Sequence, residues 1–246
     1  MITHLDSHKP LHYAQMTSAS DQDHKDHAIY LQPTFFIDFN NPEVIEFSSS
    51  MITAGASPKE IAVQLYYGVR DQIKYDPYDV QPNRLTMRAS HVVKKHAGYC
   101  VAKAVLLTAL LRLNNIPARL GLADVTNHLS TRKLREIMGT DLFIYHGYTE
   151  MLLTGKWVKA TPAFNLTLCQ RFHVQPLEFD GETDSLFHEY DTLGHRHMEY
   201  VHDHGHFADL PFERIFDGYE RQYPGMFERF QRLKDKDFSQ QAEQEQ

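Results

Sequence analysis

The most apolar stretch of the chain lies near its middle. Residues 100–113, "CVAKAVLLTALLRL", are apolar almost all round, which predicts a centrally buried helix rather than a surface one. Pro117 in "NNIPAR" stops it. Upstream, "SPKEIAVQLYYGVRDQI" (57–73) predicts an amphipathic helix. Ser57 and Glu60 form a capping box, Pro58 suits the first helical position, and Ile61, Leu65 and Val69 recur every four residues. "MRASHVVKKH" predicts a short helix ending at Ala97-Gly98, after the turn-rich "YDPYDVQPNR". "TFFIDF" (34–39) and "VIEF" (44–47) read as strands.

Beyond the central helix the period changes. "RLGLADV" (119–125) reads as a strand, "TRKLREIM" as a surface helix, and "DLFIYHGYTEMLL", "TGK" and "WVKATPAF" as an antiparallel hairpin. Helices first and strands later favour an α+β fold with the buried helix packed on an antiparallel sheet. The expected organisation is a polar N-terminal segment (1–29), a core (30–170) and an acidic, His-rich and then helical C-terminal extension (171–246), able to form a cap. Its last residues, "DKDFSQQAEQEQ", are expected to fray. No internal repeat is present.

Composition narrows the function classes. Of the 246 residues, 42% are hydrophobic and 23% charged, enough to bury a sizeable core, and the net charge of −7 argues against a nucleic-acid partner. No apolar run reaches the roughly 18 residues of a membrane span. The N-terminus lacks the layout of a secretory signal, and two cysteines make no disulfide framework, so a reducing cytoplasm is expected.

Cys100 opens the buried helix directly after Gly98-Tyr99. Helix-start N–H groups lack intrahelical partners and carry roughly +0.5 charge. They are expected to lower the thiol below its usual value of about 8.5 and to cradle an oxyanion when the sulfur attacks a carbonyl. A base must come from elsewhere, and His146 on the strand "FIYHGYTE" is the best placed. Alternation along that strand puts His146, Tyr148 and Glu150 on one face.

The stretch "ASHVVKKHAGYCVAKAVLLTALLRLNNIPARLGLADV" resembles the core of the transglutaminase-like superfamily, in which Gly-x-Cys opens a buried helix ending at a "GIPAR"-type turn. "IKYDPYD" and "YHGYTEMLLTGKWVKATP" extend the resemblance over about residues 58–165. It implies a papain-like cysteine core with a Cys-His-Asp triad and an amide or peptide carbonyl as substrate, with no cofactor. Cys100 falls on the nucleophile, His146 on the base, and Tyr148 on the usual Trp slot. Thr161 falls where the family has its orienting aspartate. A hydroxyl accepts a hydrogen bond from the imidazole but carries no charge, and losing the carboxylate of a serine triad costs on the order of 10⁴ in rate. Asn165 offers an amide instead, although it lies four strand residues, roughly 13 Å, further on. "AGYC" also resembles the arylamine N-acetyltransferases, which share the fold and a thioester mechanism.

The leading expectation is therefore a cysteine enzyme, hydrolytic rather than cross-linking, because the chain has no room for accessory β-sandwiches and no D-x-D-x-D-G calcium loop. The alternative is a noncatalytic scaffold that kept the fold and lost the aspartate. Tyr99, Tyr148 and Glu150 are further candidates for orienting or binding substrate, and Asp124 reads as a surface turn residue. His188, His195, His197, His202, His204 and His206 form a His-rich segment read as a loop over the cleft. The last three are weak candidate metal ligands. Cys169 is expected to be a buried structural thiol.

Overall fold

The computed structural model describes residues 27–128, 130–186 and 198–233. The elements run α1 (Pro42–Ser49), α2 (Pro58–Gln72), β1 (Lys74–Tyr75), α3 (Ala89–Lys95), β2 (Ala97–Gly98), α4 (Cys100–Leu113), β3 (Ala118–Asn127), α5 (Arg132–Met138), β4 (Leu142–Leu153), β5 (Lys156–Ala160), α6 (Leu166–Arg171), β6 (Met198–Phe207), α7 (Phe212–Gln222) and α8 (Met226–Gln231). Strands β5, β4, β3 and β6 form one antiparallel sheet in that order, and β1 and β2 form a small parallel pair. The fold is α+β, with α4 buried against the sheet.

Helix α4 is covered on all sides: every residue from Cys100 to Arg112 is buried. Two of these are cations, and each is retained by satisfying its donors. Lys103 Nζ donates to the carbonyls of Arg70 (2.9 Å) and Ile73 (2.6 Å), which α2 leaves unpaired at its end. Burial lowers that ammonium to about 7. The guanidinium of Arg112 donates to Ala118 O (2.8 Å), Gln32 O (2.8 Å) and Ala208 O (2.7 Å), tying the opposite end of α4 to three segments. The Ser57 capping box forms as expected at the start of α2.

Two expectations fail. The strands expected at 34–39 and 44–47 are absent. Pro42–Ser49 is helical, because Asn41 accepts from the Glu43 N–H, Pro42 occupies the first turn, and Val44, Phe47 and Ser48 share the buried side. The His-rich residues 202–206 form strand rather than loop, with Gly205 accommodated at a positive φ of 81° beside register shifts in the β3–β6 pairing.

Candidate active site

The sequence around Cys100 builds a sharp entry into α4. Helix α3 ends at His96 in the left-handed region (φ 54°), and the β1–β2 pair sets Tyr75 opposite Gly98. Tyr99 then takes an extended N-cap conformation with no side-chain cap, leaving the first amides of α4 available. Cys100 is 8% exposed. Backbone N–H groups of Gly147, Val101 and Cys100 favour its anion, but burial outweighs them and pushes the thiol up to about 11. The expected lowering does not occur: the helix start supplies donors, and the protein removes the water that would have solvated the thiolate.

Strand β4 brings His146 to the same place. Its register with β3 is unshifted from Met151 to His146 and then breaks, so that Ile144 and Tyr145 together oppose the single residue Asp124. Tyr145 takes a positive φ of 55°, and its N–H donates to Asp124 Oδ1 at 2.9 Å. This bulge ends regular pairing directly before His146. Along the regular part, Thr149 faces α4 and donates to Ala104 O at 3.0 Å. Gly147, two residues back, lies against the helix start: a Cβ there would stand 2.7 Å from Val101 Cα. Only glycine permits that approach. His146 is buried, and burial alone lowers its imidazole to about 3. Thiol and imidazole are thus both neutral at rest.

Cys100 and His146 line one cavity of about 820 Å³ of atom-free space, part of it open to solvent. Tyr99 lines it as well; its hydroxyl donates to Met87 Sδ at 3.7 Å and pairs with the Tyr219 hydroxyl. The phenols of Tyr75 and Tyr99 are held well above their usual value, first by burial and next by the neighbouring Cys100. Tyr219 and Tyr223 of the α7 region close the cavity from above, and sequence reasoning missed them. Their signal was the buried set Phe212, Ile215, Phe216 and Tyr219, a helical stripe without an assigned partner.

The remaining sequence candidates have other surroundings. The ring of Tyr148 lies where a Gly121 Cβ would be, 2.1 Å from that position, with its hydroxyl 3.5 Å from Asp203 and Lys159 Nζ 5.2 Å from its centroid. Glu150 is ion-paired with Arg119 (2.6 Å) and Lys159 (3.6 Å), and Arg119 stacks on Trp157 at 3.9 Å. Asn165 Oδ1 accepts from the Tyr75 N–H at 3.2 Å and its amide donates to Thr167 at 2.6 Å. Thr161 follows β5; it is 1% exposed, and its hydroxyl has no hydrogen-bond partner among the described residues.

Asp124 is not a surface turn residue: within β3 it holds the Tyr145 amide and accepts from His204 Nε2 at 2.7 Å. His202 stacks edge-on to His204 (4.6 Å) and His206 to Tyr30 (6.4 Å); among the described residues no three His, Cys, Asp or Glu side chains converge as metal ligands. His188, His195 and His197 lie outside the described residues, as do nearly all of segment 1–29 and the tail expected to fray. Cys169 is buried, its thiol donating to Phe164 O at 3.8 Å and raised by burial to about 11. No described helix is long and apolar enough to cross a membrane.

Comparison with known proteins gives a match of residues 45–162 to the transglutaminase-like superfamily. Among solved structures, the chain is similar to a candidate cysteine protease from Cytophaga hutchinsonii, with 17% identity, a TM-score of 0.43, and 56% of this chain aligned to 42% of that one. The alignment thus spans about two-fifths of that protein's length. No curated protein matches.

Proposed function

We propose, from the match of residues 45–162 to the transglutaminase-like superfamily, that the chain is a cysteine-dependent enzyme cleaving an amide or peptide bond through a thioester, with water as the final acceptor. The observation carrying this reading is that Cys100 and His146 line one cavity while the amides of Gly147 and Val101 lie against the Cys100 thiol. His146, neutral at rest, takes the Cys100 proton as sulfur adds to the carbonyl. The amides opening α4 receive the developing oxyanion. The imidazolium returns its proton to the leaving amine as the C–N bond breaks. Water then adds to the thioester with His146 as base, releasing the acid and regenerating the thiol.

In this reading Thr161 orients the imidazole. Its support is its place at the position of the family's aspartate; in this structure its buried hydroxyl makes no hydrogen bond among the described residues, so the contact with His146 forms only as the ring turns toward it with substrate bound. Because both partners rest uncharged, proton transfer accompanies attack rather than preceding it. The test is labelling with an electrophilic peptide-like probe, followed by peptide mapping. Cys100 is expected to be labelled and Cys169 not, with His146→Ala lowering the rate about 10²–10⁴-fold. Equal sluggishness of the two thiols would favour a noncatalytic binding module, the reading that the uncharged Thr161 also fits.

A further inference from the structure

The cavity beside Cys100 has a chemical character that the family core does not dictate. Among the described residues no Asp, Glu, Lys or Arg lines it. Phe143 and Ile144 of β4 and Met138 of α5 form one wall, and Phe164 and Phe172, flanking α6, form another. Tyr219, Tyr223, Met226 and Phe230 close it, and all four lie outside the matched residues 45–162. The described polar side chains that line it, four of them tyrosines, are neutral. One of them, Ser130, is 6% exposed and lines the cavity with a hydroxyl that has no hydrogen-bond partner among the described residues.

A peptide-binding cleft open to any side chain would leave polar or charged positions within reach. Here an ionised substrate group would be stripped of water with no opposite charge to meet it, which is strongly unfavourable. An uncharged apolar group, by contrast, is rewarded for every buried methylene, and most ligand sites follow this pattern of apolar walls with a few placed polar atoms. Resting on the thioester reading above, the geometry points to a substrate whose acyl portion is an uncharged, bulky apolar group, aliphatic or aromatic. The acyl chain occupies the space closed by α7 and α8, and Ser130 Oγ meets a neutral polar atom of the ligand. Specificity is therefore set by the C-terminal helices, while the core supplies the sulfur and the imidazole.

A series of 4-nitrophenyl esters tests this, with formation of the Cys100 acyl-thioester and release of nitrophenolate followed by mass spectrometry and absorbance. Acylation is expected to quicken about fourfold per added methylene, on the order of 10²-fold from acetyl to hexanoyl. The hemisuccinyl ester, matching butanoyl in length but ending in a carboxylate, is expected to react at least about tenfold more slowly than butanoyl. Met226→Trp, or Met138→Phe should the first not fold, is expected to lower the hexanoyl-to-acetyl ratio at least several-fold. Rates independent of chain length, or a preference for the hemisuccinyl ester, would overturn the assignment while leaving the nucleophile intact. Should Cys100 prove inert to every ester, the thioester reading fails and the cavity is judged separately by phenylacetamide and succinamate. A rise in unfolding temperature with phenylacetamide alone sustains the apolar assignment, and any other pattern ends it.

Discussion

Replacing Gly147 with alanine is the smallest change that reaches both halves of the site. The new Cβ would stand 2.7 Å from Val101 Cα and 3.1 Å from Val101 N, where ordinary contact begins at 3.4 Å. Both neighbours are backbone atoms in the first turn of a buried helix, so no side chain can swing aside. Relief requires β4 and the start of α4 to part by about 3.4 − 2.7 = 0.7 Å. Overpacking of this kind costs about 1–3 kcal/mol. The same shift withdraws the Gly147 amide from the Cys100 sulfur, and a misplacement approaching 1 Å is worth about 10² in rate. Two measurements are therefore expected to move together: urea unfolding should lose 1–3 kcal/mol, and probe labelling of Cys100 should slow about 10²-fold. A variant within about 0.5 kcal/mol of the parent and labelled at an unchanged rate would refute the argument that this approach is tight and functional.

Three further outcomes follow from the geometry. His146, lowered from 6.5 to about 3, favours its neutral form in the fold, so the unfolded chain takes up a proton first as pH falls. Its stability contribution is fully present above pH 6.5 and is lost between 6.5 and 3 at about 1.4 kcal/mol per pH unit, and His146→Gln should flatten urea-derived stability across that window by one proton. Glu150→Ala strands Arg119 beneath Trp157 and should destabilise by about 3–5 kcal/mol. Cys100 labelling should persist in that variant, whereas its loss in a folded Glu150→Ala protein would return the carboxylate to the site. Thr161→Asp restores the family's charge and should raise the labelling rate roughly tenfold or more, against a fall with Thr161→Val; an unchanged rate in both removes residue 161 from the mechanism.

The central helix was legible because an apolar run leaves no other way to bury itself, and its ends were marked by Tyr99-Cys100 and Pro117. The hairpin was legible because alternation and the "TGK" turn agree with each other. Helix Pro42–Ser49 was not: its "VIEF" has β-prone residues, and the decisive signal lay in the Asn41-Pro42-Glu43 cap rather than in the apolar pattern. At the site, residue types pointed to Cys100 and His146, yet their acidities could not be read, since these depend on how completely later segments exclude water. The bulge at Tyr145 was equally hidden, because it arises from Asp124 on the neighbouring strand.

The three-way grip of Arg112 bears on where this molecule can be cut. Its guanidinium joins Gln32, near the start of the described chain, to Ala208, just past β6, through the far end of the helix that carries Cys100. A fragment ending at residue 170 would strand one arm of that cation inside a dry interior and bare the edge of β3 that β6 now occupies. Excising residues 30–170 would thus yield an aggregation-prone polypeptide rather than a smaller stable fold.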